Sequence, residues 1–401
     1  MRRRALNREH VSSPPLAVPL CLDARMLAAG GTGVSTYARA LAAATRVLSD
    51  RPYRLVAERD DDGRARRWLG ALSRGPRSLR TGRDAEGAVL LGRDLFRRAH
   101  VHFDLHRRLM PLRCDLPAGI MHWTYPVPLR LQGWINLYTV HDAIPLDHPE
   151  LTSIDPRRHR AVLDAIVAGG DGITTVSGAA RAGIVAALGC DPAFVVDTGQ
   201  PVDVDDAALT ALPASLTPDG YFLAVGTIEP RKNLAALLAA YRRSGAALPL
   251  LVAGPAGWRA GPILDDIAAT PGATHLPYPP RALLLTLLAN ARALLFPSLA
   301  EGFGLPVAEA IALGTPVLAG AGGAPAEVAG DAALLVNVAD LDALAQGIAR
   351  LASDDALVAD LAACGRARAP AFAPARFAER LSEVYHAALQ RCPGAANARH
   401  P

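Results

Sequence analysis

The sequence predicts an α/β protein of two doubly wound domains facing a cleft, on three observations. Short apolar runs alternate with helix-length patterns along most of the chain, as in parallel strands joined by crossover helices. A turn-rich stretch, residues 201–219, with Pro201, Pro213, Pro218 and Asp219-Gly220 in or beside it, interrupts the alternation and reads as a linker. The 401 residues exceed one ordinary core. Hydrophobic residues make up 51% and charged residues 20%, which excludes a disordered or fibrous chain.

Residues 1–15 read as a disordered leader. The apolar run after its basic start is short, broken by proline and ended by Asp23, a poor signal peptide. The first domain, residues 16–200, is expected to hold strands at 17–22, 53–57, 119–122, 135–140, 172–176 and 194–196. Its helices are expected at 34–48, 156–168 and 178–188. Residues 60–113 are Arg-rich and show no clear period. The second domain, residues 220–375, should place strands at 221–225, 248–253, 293–296 and 317–319. Its helices should cover 233–243, 282–289, 306–312, 340–351 and 354–363, with a final amphipathic helix from Pro374. Ligands of such Rossmann-like sheets bind at the carboxyl ends of strands. No uncharged apolar stretch of about 20 residues lacks Gly or Pro, so no membrane span is expected.

The strongest chemical signal is Ser298-Leu-Ala-Glu301-Gly302-Phe303-Gly304-Leu305-Pro306-Val-Ala-Glu309, after the strand at 293–296. Gly302 and Gly304 let a ligand approach the main chain. Pro306 suits a first helical turn, so free amides near Leu305 should point into the cleft and attract phosphate. Glu301 and Glu309 repel phosphate and suit neutral hydroxyls better; Glu309 is equally well read as a first-turn acid. A second signal, Gly226-Thr-Ile-Glu-Pro230-Arg231-Lys232-Asn233, follows the strand at 221–225. Arg231 as a fork and Lys232 as a point charge can neutralise a diphosphate. The bland alternative is a solvated helix cap with Asn233 as N-cap.

Lys232 is the single lysine beside 41 arginines. In a chain that uses Arg wherever either will serve, it marks a place that needs an ammonium. Residues 1–200 carry 28 Arg, no Lys and 20 acidic residues; residues 201–401 carry 14 basic and 18 acidic ones. The basic first half suggests an anionic partner or a solvated Arg-rich face, and the overall charge of +4 does not suggest a nucleic-acid binder. Five scattered cysteines without a CxxC point to free thiols in a reducing compartment.

In the first half, Gly30-Gly31-Thr-Gly33-Val-Ser-Thr36-Tyr37 opens a helix, but Thr36 spoils the GxGxxG fingerprint. His141-Asp142 ends the strand at 135–140. There His141 can donate a hydrogen bond to a bound reactant, and Asp142 can orient it or meet a second reactant. Ser177 precedes the helix at 178–188 as a natural N-cap. Asp60-Asp61-Asp62 contains a DxD but reads as a solvated loop. His100, His102, Asp104 and His106 fall short of a metal site, because only two of the histidines share a helix face. Apolar and Arg residues interleave over 95–113, as in a surface lying on anionic lipid or a helix packed on the first domain.

The two second-half motifs, with Gly322-Gly323-Ala-Pro-Ala-Glu327-Val-Ala-Gly330-Asp331 after them, resemble glycosyltransferase family 4 over residues 220–340. Those enzymes are retaining sugar-nucleotide transferases of GT-B fold. The His141-Asp142 segment is similar to their mannosyl- and rhamnosyl-transferring branch. The resemblance implies that Glu301 binds hydroxyls of the transferred sugar, Glu309 the ribose, and Arg231 and Lys232 the diphosphate. It implies that Gly31 and Gly33 lie near phosphates or acceptor, and that residues 376–391 return to the first domain. One departure is Thr227, where many members carry arginine. The implied reaction moves a hexosyl group, mannose favoured, from a nucleoside diphosphate sugar (GDP-mannose favoured) to a glycan or lipid-linked acceptor. No metal and no other cofactor are expected, and the site of action is cytoplasmic, with peripheral contact to an anionic membrane face left open. A nucleotide-sugar epimerase of the same fold, a dinucleotide-dependent oxidoreductase and a non-catalytic sugar-nucleotide-binding protein remain as rivals.

Overall fold

The computed structural model describes residues 6, 8, 11, 13–27, 33–58, 75–204 and 209–392. The first domain contributes β1 (Leu20–Asp23), β2 (Pro52–Glu58), β3 (Arg77–Ser78), β4 (Arg80–Asp84), β5 (Gly87–Arg93), β6 (Met110–Arg113), β7 (Ile120–Trp123), β8 (Leu129–Leu131), β9 (Ile135–Thr139), β10 (Gly172–Thr175) and β11 (Val195–Asp197). Eight of them form a sheet in the order β11-β10-β9-β7-β1-β2-β5-β4, parallel except for β4. The rest make a small parallel sheet, β3-β6-β8.

The second domain holds β12 (Phe222–Val225), β13 (Leu250–Ala253), β14 (Ala273–Leu276), β15 (Ala293–Phe296), β16 (Val317–Gly320) and β17 (Ala333–Val336). They form a parallel sheet ordered β14-β13-β12-β15-β16-β17. In domain order this is 3-2-1-4-5-6, which reverses direction between β12 and β15 and opens a crevice at their carboxyl ends. The central strands are unbroken apolar runs, because helices cover both faces. The order in the first sheet likewise reverses between β1 and β7.

The stretch 60–113 lacked a readable period for physical reasons. Its described part is the two-residue β3, the antiparallel edge strand β4, exposed at Arg80, Thr81, Arg83 and Asp84, then β5, the helix Leu95–His106 and β6. That helix sends Leu95, Ala99 and Phe103 into the core. It is therefore an ordinary packed helix, with Leu105 as its exposed apolar side chain. Four elements of the second domain have no counterpart in the sequence reading: β14, β17 and the helices Gly261–Ala269 and Gly323–Ala329. Both strands are partly exposed edges; β14, Ala273-Thr-His-Leu276, carries no continuous apolar signal, whereas β17, Ala333-Leu-Leu-Val336, is an apolar run too short to distinguish from the helix and turn beside it.

The final helix, Pro374–Arg391, packs on the first domain. Its Tyr385 hydroxyl lies 2.7 Å from His122 Nδ1, and Phe377 meets Tyr37 edge-on at 5.6 Å. One hydrophobic cluster runs from Leu20 and Leu41 through Phe377 and Leu381 to Leu223 and Ile311, so the two domains share part of a core. No helix among the described residues is long and apolar enough to cross a membrane.

Candidate active site

The second-domain motifs meet at the switch between β12 and β15. Gly226, just after β12, has φ +148°, and a Cβ there would lie 2.9 Å from Lys232 Cε, so glycine makes room for the lysine stem. One 3-10 turn, Pro230–Lys232, then aims both cations across the crevice. Lys232 Nζ donates to Glu301 Oε1 at 2.6 Å and lies 5.0 Å from the centre of the Phe296 ring that ends β15. Arg231 donates to Glu301 Oε2 at 2.7 Å, to the Ala300 carbonyl at 3.0 Å and to Glu229 at 2.7 Å. The Arg231 carbonyl accepts from the Leu299 N–H at 2.9 Å, which ties the loops backbone to backbone.

The charges decide one another's state. Burial pushes Glu301 upward, but Lys232 and Arg231 outweigh it and hold the carboxyl below its ordinary range. Burial opposes the charge on Arg231, yet Glu301 and Glu229 raise its pKa further. Glu301 was expected to face a sugar; here it neutralises the two cations expected to hold phosphate. Glu309, 2% exposed, lies beyond the first turn of the helix Leu305–Leu313, so it is not the first-turn acid the sequence allowed, and it accepts from Arg281 at 2.5 Å. Burial raises its pKa against that single partner. Arg281 escaped the sequence reading. Its signal was a cation opening a helix after Pro279-Pro280, where the helix dipole disfavours it.

The loop between the glutamates differs from expectation. A Cβ on Gly302 would lie 2.4 Å from the His141 carbonyl oxygen and 3.1 Å from Asp142 Cβ. Glycine there admits the other domain's backbone rather than a ligand. Phe303 is packed edge-on against Phe372 at 6.1 Å. Gly304, with φ +95°, turns the chain into the helix at Leu305, with Pro306 in its first turn. A cavity of about 310 Å³ opens beside the loop, lined by Ser298, Glu301, Gly320, Gly322, Pro325 and Asn337 among others.

On the first-domain side, His141 follows β9. Its ring meets Tyr37 edge-on at 5.1 Å, and its Nε2 is buried without a hydrogen-bond partner. Burial lowers its pKa to about 4, so the ring is neutral at physiological pH. Asp142 does not orient it; its carboxylate accepts from the Ile144 N–H at 3.0 Å. Burial raises Asp142, against the attraction of Arg231. Gly33 is the first residue of the helix Gly33–Leu48, while Gly31 and the Asp60-Asp61-Asp62 triplet lie outside the described residues. Asn233 occupies the N-cap position of the helix Leu234–Ser244, but its side chain donates to the Val338 carbonyl at 3.0 Å instead of capping. Asp104 and His100 both contact Arg158. No group of three His, Cys, Asp or Glu among the described residues is placed to hold a metal.

Residues 213–368 match the model of the glycosyl transferases group 1. That stretch is similar to the group 1 glycosyl transferases, and the chain as a whole has the GT-B fold of the solved structures below. The match holds both cations and both glutamates of the crevice. The chain is 37% identical over 160 residues to the O-antigen chain mannosyltransferase B of Escherichia coli, covering 38% of this chain and 42% of that one. It is 40% identical over 112 residues to the MMP alpha-(1->4)-mannosyltransferase of Mycolicibacterium hassiacum, 27% of either chain. It therefore spans less than half the length of these curated relatives. Sucrose-phosphate synthase from Thermosynechococcus elongatus superposes with a TM-score of 0.67 over 93% of this chain and all of that one, at 19% identity. HepE of Anabaena, solved with UDP and glucose, gives 0.67 over 92% and 100%, at 14% identity. These last two likenesses are of fold.

Proposed function

We propose that the chain transfers a hexosyl group, with mannose favoured, from a nucleoside diphosphate sugar to a hydroxyl, with retention at the anomeric carbon. The observation that carries this reading is the convergence of Arg231, Lys232 and Glu301 with the helix start at Leu305, in the crevice at the sheet's switch point. Arrival of a diphosphate lets both cations exchange Glu301 for phosphate oxygens. The freed carboxylate then accepts sugar hydroxyls. The leaving diphosphate gains negative charge in the transition state, and cations already fixed in place stabilise it without reorganisation. Glu309 serves the ribose and His141, neutral, a sugar hydroxyl. With no nucleophile in the motif set, the acceptor attacks from the face that the diphosphate leaves, and the phosphate takes its proton. The fixed cations take the role a metal would otherwise fill, so EDTA is expected to leave the rate unchanged.

The curated relatives named as mannosyltransferases support a mannosyl donor, with GDP-mannose the first candidate. For the acceptor, a cavity of about 460 Å³ lies at the carboxyl ends of β2 and β5, with Arg25, Glu58, Asp94, Arg97 and Asp104 around Phe96. Guanidinium and carboxylate groups in alternation suit the hydroxyls of a glycan, whereas three carboxylates oppose a lipid phosphate. A glycan hydroxyl is the better reading, and peripheral membrane contact would serve only to bring such an acceptor near. The test is a thermal-shift series with GDP-mannose, UDP-glucose and GDP, followed by hydrolysis of the best binder. Stabilisation by GDP-mannose, with slow release of mannose, supports the proposal. A chain that no sugar nucleotide stabilises cannot have this function.

A further inference from the structure

The helix Gly178–Leu188 belongs to the first domain, yet its start is held by the second. Glu327 accepts from the Gly178 N–H at 2.9 Å and the Ala179 N–H at 2.7 Å. A Cβ on Gly178 would lie 3.1 Å from that carboxylate, a tight approach that glycine avoids. Arg368 braces the same segment by donating to the carbonyls of Glu327 and Val328, both at 2.6 Å. Ser177, 2% exposed, works in both directions. Its hydroxyl oxygen caps the helix by accepting from the Ala180 N–H at 3.0 Å, and its O–H donates to the Gly302 carbonyl at 2.7 Å. Gly302 is the residue after Glu301, and no side chain fits there because a Cβ would lie 2.4 Å from the His141 carbonyl oxygen. An ordinary cap needs the first contact only. The second ties the loop between the two glutamates to the opposite domain.

We infer that Ser177 is a positioning residue for nucleotide-sugar binding: it fixes the 301–305 loop from across the cleft, with Glu327 docking the helix that carries it. The inference rests on the donor-site reading above. The loop that carries Glu301 and opens the helix at Leu305 is complete only when the domains are closed, because one of its carbonyls is satisfied by the other domain. Separation of the domains breaks the Ser177–Gly302 bond and leaves water as that carbonyl's partner, so the loop loses its cross-domain tether. Opening the cleft therefore loosens the donor loop, and a donor that needs the loop ordered favours closure.

The test separates the two contacts of Ser177. Glycine is nearly as good an N-cap as serine but donates nothing, whereas threonine keeps both contacts. Amide exchange is followed over residues 298–308, where Leu299 bonds to the Arg231 carbonyl and Val307 to the Gly304 carbonyl. In Ser177→Gly these amides should exchange about three- to tenfold faster, the worth of one hydrogen bond, and Ser177→Thr should match wild type. The Kd for GDP should weaken by the same factor in Ser177→Gly, and KM for GDP-mannose should rise with kcat held. Ser177→Ala reads the same loop should the glycine variant not fold. If exchange at 298–308 stays at the wild-type rate while only residues 178–181 loosen, Ser177 is a cap and the inference is wrong. A wild-type chain that binds no GDP sinks the transferase reading, and the exchange result still decides this one.

Discussion

Glu301 and Glu309 stand eight residues apart, and both are shielded from water, yet the protein holds them in opposite ways. Glu301 receives two cations, from a turn built at the end of another strand, and is kept ionised. Glu309 receives one, from an arginine whose side chain is 48% exposed, and its carboxyl is pushed upward. Desolvation is the leading influence at both sites. What differs is how much fixed positive charge the fold delivers. A pair of acids in a motif therefore states spacing only; their chemistry is set by elements far off in sequence, the 230–232 turn for one and the 281–289 helix for the other.

The largest effect is expected at Glu301. Replacing it by glutamine leaves Arg231 and Lys232 with most of their compensation gone, at side-chain exposures of 22% and 11%. Breaking such a pair should cost about 3 kcal/mol in urea unfolding. Transfer should fall about 100-fold or more. The same variant should bind inorganic pyrophosphate more tightly than wild type by titration calorimetry, about tenfold, because the competing internal anion is gone. Weaker pyrophosphate binding in Glu301→Gln would mean that the cations do not serve the diphosphate.

Lys232→Arg ranks next. The ammonium lies on Gly226 and against Phe296 in a space shaped for a slim stem. A guanidinium is broader and cannot present a single point charge to Glu301. A loss of about 10- to 100-fold in kcat/KM is expected, on the scale of one misplaced electrostatic contact. An arginine variant with wild-type kinetics would make the lone lysine an accident of composition.

The legible part of the molecule follows from the same contrast. The central strands β12 and β15 were readable because burial on both faces writes a continuous apolar run, and the residues after them were readable because glycine, proline and charge cluster where strands end. The edge strand β14 and the exposed β4 were not, since half-solvated strands impose no period, and the four apolar residues of β17 are too few to tell strand from helix. At the site, the meeting of Arg231 and Lys232 with the 298–309 loop was anticipated from their places at strand ends. The occupation of Glu301 by those cations was not, and neither was Arg281, because which ion pairs form depends on strand order, which spacing does not encode. Gly302 shows the limit most clearly: the sequence marks a need for room without saying whether ligand or protein fills it, and here the His141 carbonyl does.

The smallest effect, and the sharpest in sign, is expected for Glu309→Gln. A carboxyl whose folded pKa lies above its ordinary value of 4.5 binds more protons in the folded protein than in the unfolded chain. Its contribution to stability is then fully present below 4.5 and is lost as pH rises through the folded value. Glu301, shifted the other way, contributes stability above 4.5 that is lost as pH falls through its lower folded value. Glutamine at 309 removes a desolvated charge and leaves Arg281 in partial contact with water, so stability at pH 7 should rise by up to about 1 kcal/mol. The decline in the unfolding midpoint above pH 4.5 should flatten in Glu309→Gln, and in Glu301→Gln the acid-side loss should shrink instead. If Glu309→Gln were as destabilising as Glu301→Gln, a single half-exposed guanidinium would be worth as much as two largely shielded cations, and counting the delivered charge would no longer separate the two glutamates.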